Sequence, residues 1–208
     1  QDRFDAGRLL AEKLSKCKGR EDILVLGIPR GGVEVAYATA RELKVKLGIA
    51  VAKKIPFPGN PELAVGAVTF GGVVSLEDSF VFGQGIGKDY IDSEIKRLAA
   101  EIKRRYSAYN ADFPEVKNKI AVVVDDGMAT GHTVLAAVRA VRKGNPKKII
   151  VAVPVSSRQA AELVRAECDE LVCLDTPDYF MAVGGFYRNF PQLSDEDVID
   201  YVKKSKSA

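Results

Sequence analysis

The densest chemistry lies in Ile120 to Thr133, IAVVVDDGMATGHT. The apolar run IAVVV reads as a strand, Asp125 and Asp126 stand at its C-terminal end, and a loop of small residues then opens a helix. Ligands of open parallel sheets bind beyond the C-terminal strand ends. A helix N-terminus adds unpaired N–H groups and the positive end of a dipole, which together favour a phosphate. Gly127, Met128, Ala129, Thr130, Gly131, His132 and Thr133 make up that turn; the glycines and alanine permit close approach, and the threonine hydroxyls can donate. Two carboxylates beside a phosphate would repel it unless they meet something else, and vicinal sugar hydroxyls need acceptors. The implied ligand is a ribose carrying a 5′-phosphate.

Two further groups suit the same polyanion. Gly27-Ile28-Pro29-Arg30-Gly31-Gly32 links a strand to a helix, and its guanidinium can bind a pyrophosphate in a bidentate manner. Lys53 and Lys54 are expected at the end of a second strand, where they can neutralise a departing pyrophosphate.

These residues need a scaffold of alternating strands and helices, and the chain supplies one. ILVLG at Ile23 to Gly27, Leu47 to Ala52, Ile120 to Val124, Ile149 to Val155 and Leu171 to Leu174 read as strands. Their continuous β-branched runs suit a parallel sheet covered on both faces. Ile91, Ile95, Leu98, Ile102 and Tyr106 trace a helical stripe that reads as core packing. Residues 55–88, rich in glycine and proline, form a long insertion with a possible hairpin through Ala64 to Phe82. From Thr176 onward, aromatics, a Gly-Gly pair and a short helix capped near Ser194 look like a small cap over the sheet. One domain of 208 residues is expected.

Composition excludes several classes. The net charge of +3, from 31 basic against 28 acidic residues, is too small to indicate nucleic acid. No apolar run reaches the roughly 18 residues that signal a membrane helix, and the polar N-terminal residues lack a signal-peptide core. Cys17, Cys168 and Cys173 are odd in number and widely spaced, which suggests neither disulfides nor a metal site; a cytoplasmic setting is expected. An aspartate-ended strand also fits a nucleoside triphosphatase, but Gly83 to Asp89 (GQGIGKD) lacks that class's first glycine and its hydroxyl residue.

The segment IAVVVDDGMATGHT resembles the 5-phosphoribosyl-1-pyrophosphate (PRPP) signature of the type I phosphoribosyltransferases. The stretch PRGGVEVA…KKIPFPGNPELAVGAV is similar to a group of predicted phosphoribosyltransferases rather than to any named salvage enzyme; that group would carry arginine at position 53. The resemblance implies a central, mostly parallel sheet flanked by helices, a flexible-loop insertion over about 55–88, and a C-terminal hood over about 175–205. It implies that Asp125 and Asp126 face the ribose hydroxyls and that Ala129 to Thr133 cradle the 5′-phosphate. The loop of Arg30, Gly31 and Gly32 would hold the pyrophosphate, often through a non-proline cis peptide, with Lys53 and Lys54 nearby.

The implied reaction is transfer of phosphoribose from Mg2+-PRPP to a small-molecule acceptor, with the ion held mainly by PRPP oxygens and Asp125 or Asp126 in support. Residues 65–88 would be the lid. The family's 6-oxopurine enzymes carry an aspartate where Ala129 stands, so hypoxanthine and guanine are disfavoured. Tyr179, Phe180, Phe186 and Tyr187 are candidates for stacking on an acceptor or, equally, for core packing. A homodimer is expected by analogy. The alternative is a protein of the same fold that senses PRPP or a nucleotide without turnover.

Overall fold

The computed structural model describes residues 1–69, 74–76, 81, 83–112 and 114–206. Strands β1 (Ile23–Gly27), β2 (Lys46–Ile49), β6 (Ile120–Val124), β7 (Lys148–Val155) and β8 (Glu170–Asp175) form a parallel sheet in the order β2-β1-β6-β7-β8. Helices α1 (Arg3–Lys13), α2 (Gly31–Leu43), α3 (Lys88–Ala108), α4 (His132–Lys143), α5 (Arg158–Arg165) and α6 (Asp195–Lys206) surround it.

Alternation along the inner strands explains why both sheet faces are apolar. Leu24, Leu26, Ala121, Val123, Ile149, Val151 and Val153 pack with Val134 and Val138 of α4 and Val164 of α5. Their sequence neighbours Ile23, Val25, Val122, Val124, Ile150 and Ala152 pack with Leu10 of α1 and Val35 and Leu43 of α2. Thr39 fixes the crossing of α1 on α2, because its hydroxyl donates to the Gly7 and Val35 carbonyls at 3.1 and 2.9 Å.

The chain after β1 turns outward to β2, whereas β6 lies on the other side of β1. The strand order therefore reverses between β1 and β6, where open α/β sheets place their ligands.

The strand expected through Ala52 divides in two. β2 ends at Ile49, and β3 (Ala52–Phe57) begins a second, antiparallel sheet with β4 (Asn60–Thr69) and β5 (Val74–Leu76). Tyr106 supports the break: its buried hydroxyl donates to the Ile49 carbonyl and accepts from the Val51 N–H, both at 3.1 Å. The expected stripe on α3 is core, with Ile91, Leu98, Ile102 and Tyr106 all buried. The expected hairpin corresponds to β4 and β5; residues 70–73, 77–80 and 82, part of the expected lid, lie outside the described residues. The cap near Ser194 is present, since Ser194 Oγ accepts from Asp197 N and Asp197 Oδ2 accepts from Ser194 N.

Candidate functional site

The two glycine-containing turns meet at the switch point. β1 and β6 end side by side, with Gly27 paired to Val124. Beyond them the bond between Pro29 and Arg30 is cis, as the resemblance leads one to expect. Gly31 and Gly32 then open α2 directly against the acidic pair. A Cβ on Gly32 would come within 2.7 Å of Asp125 Oδ1, and one on Gly31 would land on the Asp126 carboxylate. Only glycine fits there, so the pyrophosphate-type loop and the acidic pair form one packed unit.

The carboxylates differ in their surroundings. Continuing the alternation of β6, Asp126 has the parity of Val122 and Val124, on the face covered by α1 and α2. There it meets Arg3, whose Nε donates to Asp126 Oδ2 at 2.8 Å. Arg3 is only 4% exposed, donates to the Pro191 carbonyl at 2.8 Å, and lies 3.8 Å from the Phe190 ring centre. Tyr187 adds a bond of 2.7 Å from its hydroxyl to the Asp126 carbonyl. Asp125 accepts the Asp126 N–H at 2.9 Å. Burial, reinforced by the charge of Asp126, pushes the Asp125 carboxyl well above the usual range, against the opposing pull of Arg3 and Lys54. Burial also raises Asp126, and the Arg3 hydrogen bond opposes that rise.

The phosphate-type loop is anchored from the neighbouring strand. Met128 donates to the Val155 carbonyl at 2.9 Å, and the Ser157 N–H donates to the Met128 carbonyl at 2.9 Å. The Ser157 hydroxyl donates to the Ala129 carbonyl at 2.7 Å and accepts from Ala160 N, thereby capping α5. Ala129 and Thr130 are exposed at the tip, and His132 and Thr133 are half-buried in the first turn of α4. Gly131 caps α4 with φ 79°, a left-handed conformation suited to glycine, and contributes no side-chain cap. The first N–H groups of α4 therefore lack a side-chain cap and suit an anion.

The basic residues separate. Lys53 Nζ pairs with Glu101 of α3 at 2.7 Å, whereas Lys54, next along the strand, acts electrostatically on Asp125. The difference follows from alternation: adjacent residues of β3 point to opposite faces. Among the described residues, Arg30 and Lys54 have no ion-pair partner, which leaves both heads available to an anion.

The hood aromatics also divide. Phe180 and Phe186 stack at 5.2 Å, Tyr179 is 92% exposed, and Tyr187 packs on Phe190 while holding the Asp126 backbone. Tyr187 thus has a structural task at the acidic pair. Arg3 and Ser157 are the residues that sequence reasoning missed. The only local signals were an arginine opening a helix and a serine at an N-cap. Among the described residues, no three His, Cys, Asp or Glu side chains form a metal-binding group, and no helix is long and apolar enough to cross a membrane.

The chain has recognisable relatives. Residues 2–190 match the family model of the phosphoribosyl transferase domain. A predicted phosphoribosyl transferase of Mycobacterium tuberculosis is 39% identical over 206 residues, which cover 98% of this chain and 46% of that protein. The chain thus spans about half the length of the curated relatives it matches in this way. A crystal structure of a Thermus thermophilus protein is 38% identical with a TM-score of 0.84, covering 98% of this chain and 97% of that one. A Bacillus anthracis hypoxanthine-guanine phosphoribosyltransferase shares the fold at 15% identity and a TM-score of 0.50, over 90% of this chain and 87% of its own. The chain belongs to the phosphoribosyl transferase family.

Proposed function

We propose that the chain binds PRPP at the switch point between β1 and β6 and transfers its phosphoribosyl group to a small nucleophilic acceptor, releasing pyrophosphate. The observation that carries this reading is the packing of Gly31 and Gly32 onto Asp125 and Asp126, which sets a backbone anion loop against two carboxylates. Loop amides and the free Arg30 guanidinium suit the pyrophosphate, Asp125 and Asp126 suit the ribose hydroxyls, and the uncapped turn Ala129 to Thr133 suits the 5′-phosphate.

The C1′–O bond to pyrophosphate breaks with its electron pair leaving on the pyrophosphate. The acceptor's lone pair forms the new bond at C1′, and the acceptor proton passes to solvent. Arg30 and Lys54 stabilise charge on the departing group, while the loops hold the ribose in line. Asp125 and Asp126 are hard oxygen donors of the kind Mg2+ accepts, and no third carboxylate joins them among the described residues. The ion would be held chiefly by substrate oxygens and water, with Asp125 or Asp126 in support, and it supplies charge neutralisation of the pyrophosphate.

Arg3 is assigned as a positioning residue that keeps the Asp126 carboxylate turned toward α1, leaving its second oxygen for the sugar. Ala129 disfavours 6-oxopurine acceptors. A homodimer is the proposed assembly, and sedimentation velocity reads it directly.

Calorimetric titration with PRPP and Mg2+, beside ribose 5-phosphate and ATP, tests the site. PRPP is expected to bind preferentially, and Asp125→Asn with Asp126→Asn to abolish that binding while circular dichroism stays native. PRPP binding of near wild-type strength in the double variant would show that the carboxylates do not hold the ribose.

A further inference from the structure

A second concavity lies at the opposite end of the sheet from the acidic pair. It is a groove of about 910 Å³ touching the start of β1 at Ile23, the start of β2 at Lys46, and Lys119 just before β6. The acidic pair, by contrast, follows the C-terminal end of β6. Arg20, Arg41, Lys44, Lys46 and Lys119 line the groove against a single carboxylate, Glu21, and Tyr37 adds an aromatic wall.

Two of these cations are already engaged. Arg20 is bidentate to Asp22 at 2.9 and 3.0 Å, and Arg41 pairs with Glu42 at 3.3 Å above the Phe4 ring. Among the described residues, Lys44, Lys46 and Lys119 have no carboxylate within ion-pair distance. Like charges converging on one concavity repel each other unless an anion lies between them.

Lys44 gives an independent indication. It ends α2 with φ 55° and ψ 51°, the left-handed conformation that helix ends normally assign to glycine or asparagine. A lysine there sits in a backbone conformation unfavourable to a residue with a Cβ, and it delivers an ammonium to the groove.

We propose that this groove is a second ligand site, distinct from the PRPP site, for a nucleoside di- or triphosphate: the polyphosphate on Lys44, Lys46 and Lys119, the base against Tyr37. The volume falls within the range of small-ligand sites, roughly 300–1,000 Å³. Glu21 in the lining, and Asp22 and Glu42 paired with Arg20 and Arg41, interrupt the basic surface, which suits a compact anion better than a nucleic-acid strand.

Calorimetric titration with ATP, ADP and inorganic pyrophosphate tests the proposal in wild type and in Arg30→Glu/Lys54→Glu, which turns both cations assigned to the pyrophosphate of PRPP into anions. ATP is expected to bind the groove of both proteins equally, and in that variant more tightly than pyrophosphate. Lys44→Gly is expected to weaken binding about tenfold, with an unchanged or raised Tm because glycine suits that backbone. Lys44→Gly with Lys46→Glu is expected to abolish it.

Four results would overturn the assignment. One is no binding of any probe. A second is binding lost in Arg30→Glu/Lys54→Glu and kept in the groove variants, which puts the ligand in the PRPP site. A third is pyrophosphate binding as tightly as ATP in Arg30→Glu/Lys54→Glu, which removes the base. The fourth is a single-stranded oligonucleotide binding the same lysines more tightly than ATP, which makes the groove a nucleic-acid surface. The PRPP reading can fail without altering any of these outcomes, because no residue is shared.

Discussion

Replacing Arg3 by methionine separates the two tasks assigned to this side chain. Methionine retains much of the volume but has no donor, so Asp126 loses its ion-pair partner while remaining mostly buried. Removing one member of a buried pair costs about 3–5 kcal/mol. That cost has two parts. The Pro191 carbonyl bond and the Phe190 face are together worth about 2 kcal/mol and do not depend on the protonation of Asp126. The remainder belongs to the carboxylates that Arg3 faces: chiefly Asp126 at 2.8 Å, with Glu34 at 3.9 Å and Asp125 behind it.

In wild type the folded pKa of Asp126 is already raised by burial, and Arg3 opposes the rise. Without Arg3 it rises further. A carboxyl whose folded pKa exceeds its unfolded value binds more protons when folded, so stability is lost as pH climbs through the folded pKa. The deficit of Arg3→Met relative to wild type is therefore expected to be largest near neutral pH. Toward about pH 4 it should shrink to the charge-independent part. Urea unfolding followed by circular dichroism from about pH 4 to about pH 8 measures this directly. Adding Asp126→Asn should recover the larger share of the pH-dependent part and none of the rest, as a double-mutant cycle. A deficit that is flat with pH, or one that Asp126→Asn does not relieve, would refute the electrostatic account of Arg3.

Gly31→Ala should abolish PRPP binding in calorimetry and lower the Tm, because the new Cβ collides with the Asp126 carboxylate. Thr133→Val should weaken the affinity for ribose 5-phosphate by about 1–3 kcal/mol if its hydroxyl serves the phosphate, and equal affinity would remove Thr133 from the site. Tyr106→Phe leaves the Ile49 carbonyl and the Val51 N–H without their shared partner, at a cost of about 1–3 kcal/mol for a buried group left unpaired. Thermal unfolding reads the last of these, and an unchanged Tm would mean that water replaces the hydroxyl.

The turn Gly127 to Thr133 and the acidic pair could be placed from the sequence because their residues are consecutive. A strand end, two carboxylates and a helix start are set by local rules, and a few residues express all of them. The same holds for the loop at Arg30, which becomes informative once a second such turn is found at the neighbouring strand. Arg3 obeys no local rule of that kind. Its partner Asp126 lies 123 residues away and its carbonyl acceptor 188 residues away, so only the folded sheet, with α1 on the face set by the parity of β6, brings them together. Ser157 is similar on a shorter scale. Its helix-capping bond is local, but its bond to Ala129 crosses 28 residues from one strand end to the next.

The lysine pair shows how one boundary alters a chemical reading. As the end of a continuing parallel strand, Lys53 and Lys54 look equivalent toward a pyrophosphate. The sheet instead breaks after Ala50, whose N–H still reaches the Gly27 carbonyl at 2.9 Å, and Tyr106 from α3 fills the gap with one hydroxyl. Beyond that break, β3 runs in a different sheet and its own alternation takes over, so that Lys53 pairs with Glu101 while Lys54 has no ion-pair partner among the described residues. Two neighbouring lysines of equal charge thus acquire unlike surroundings where the chain passes from one sheet to the other, at a break spanned by a buried tyrosine 55 residues from Val51.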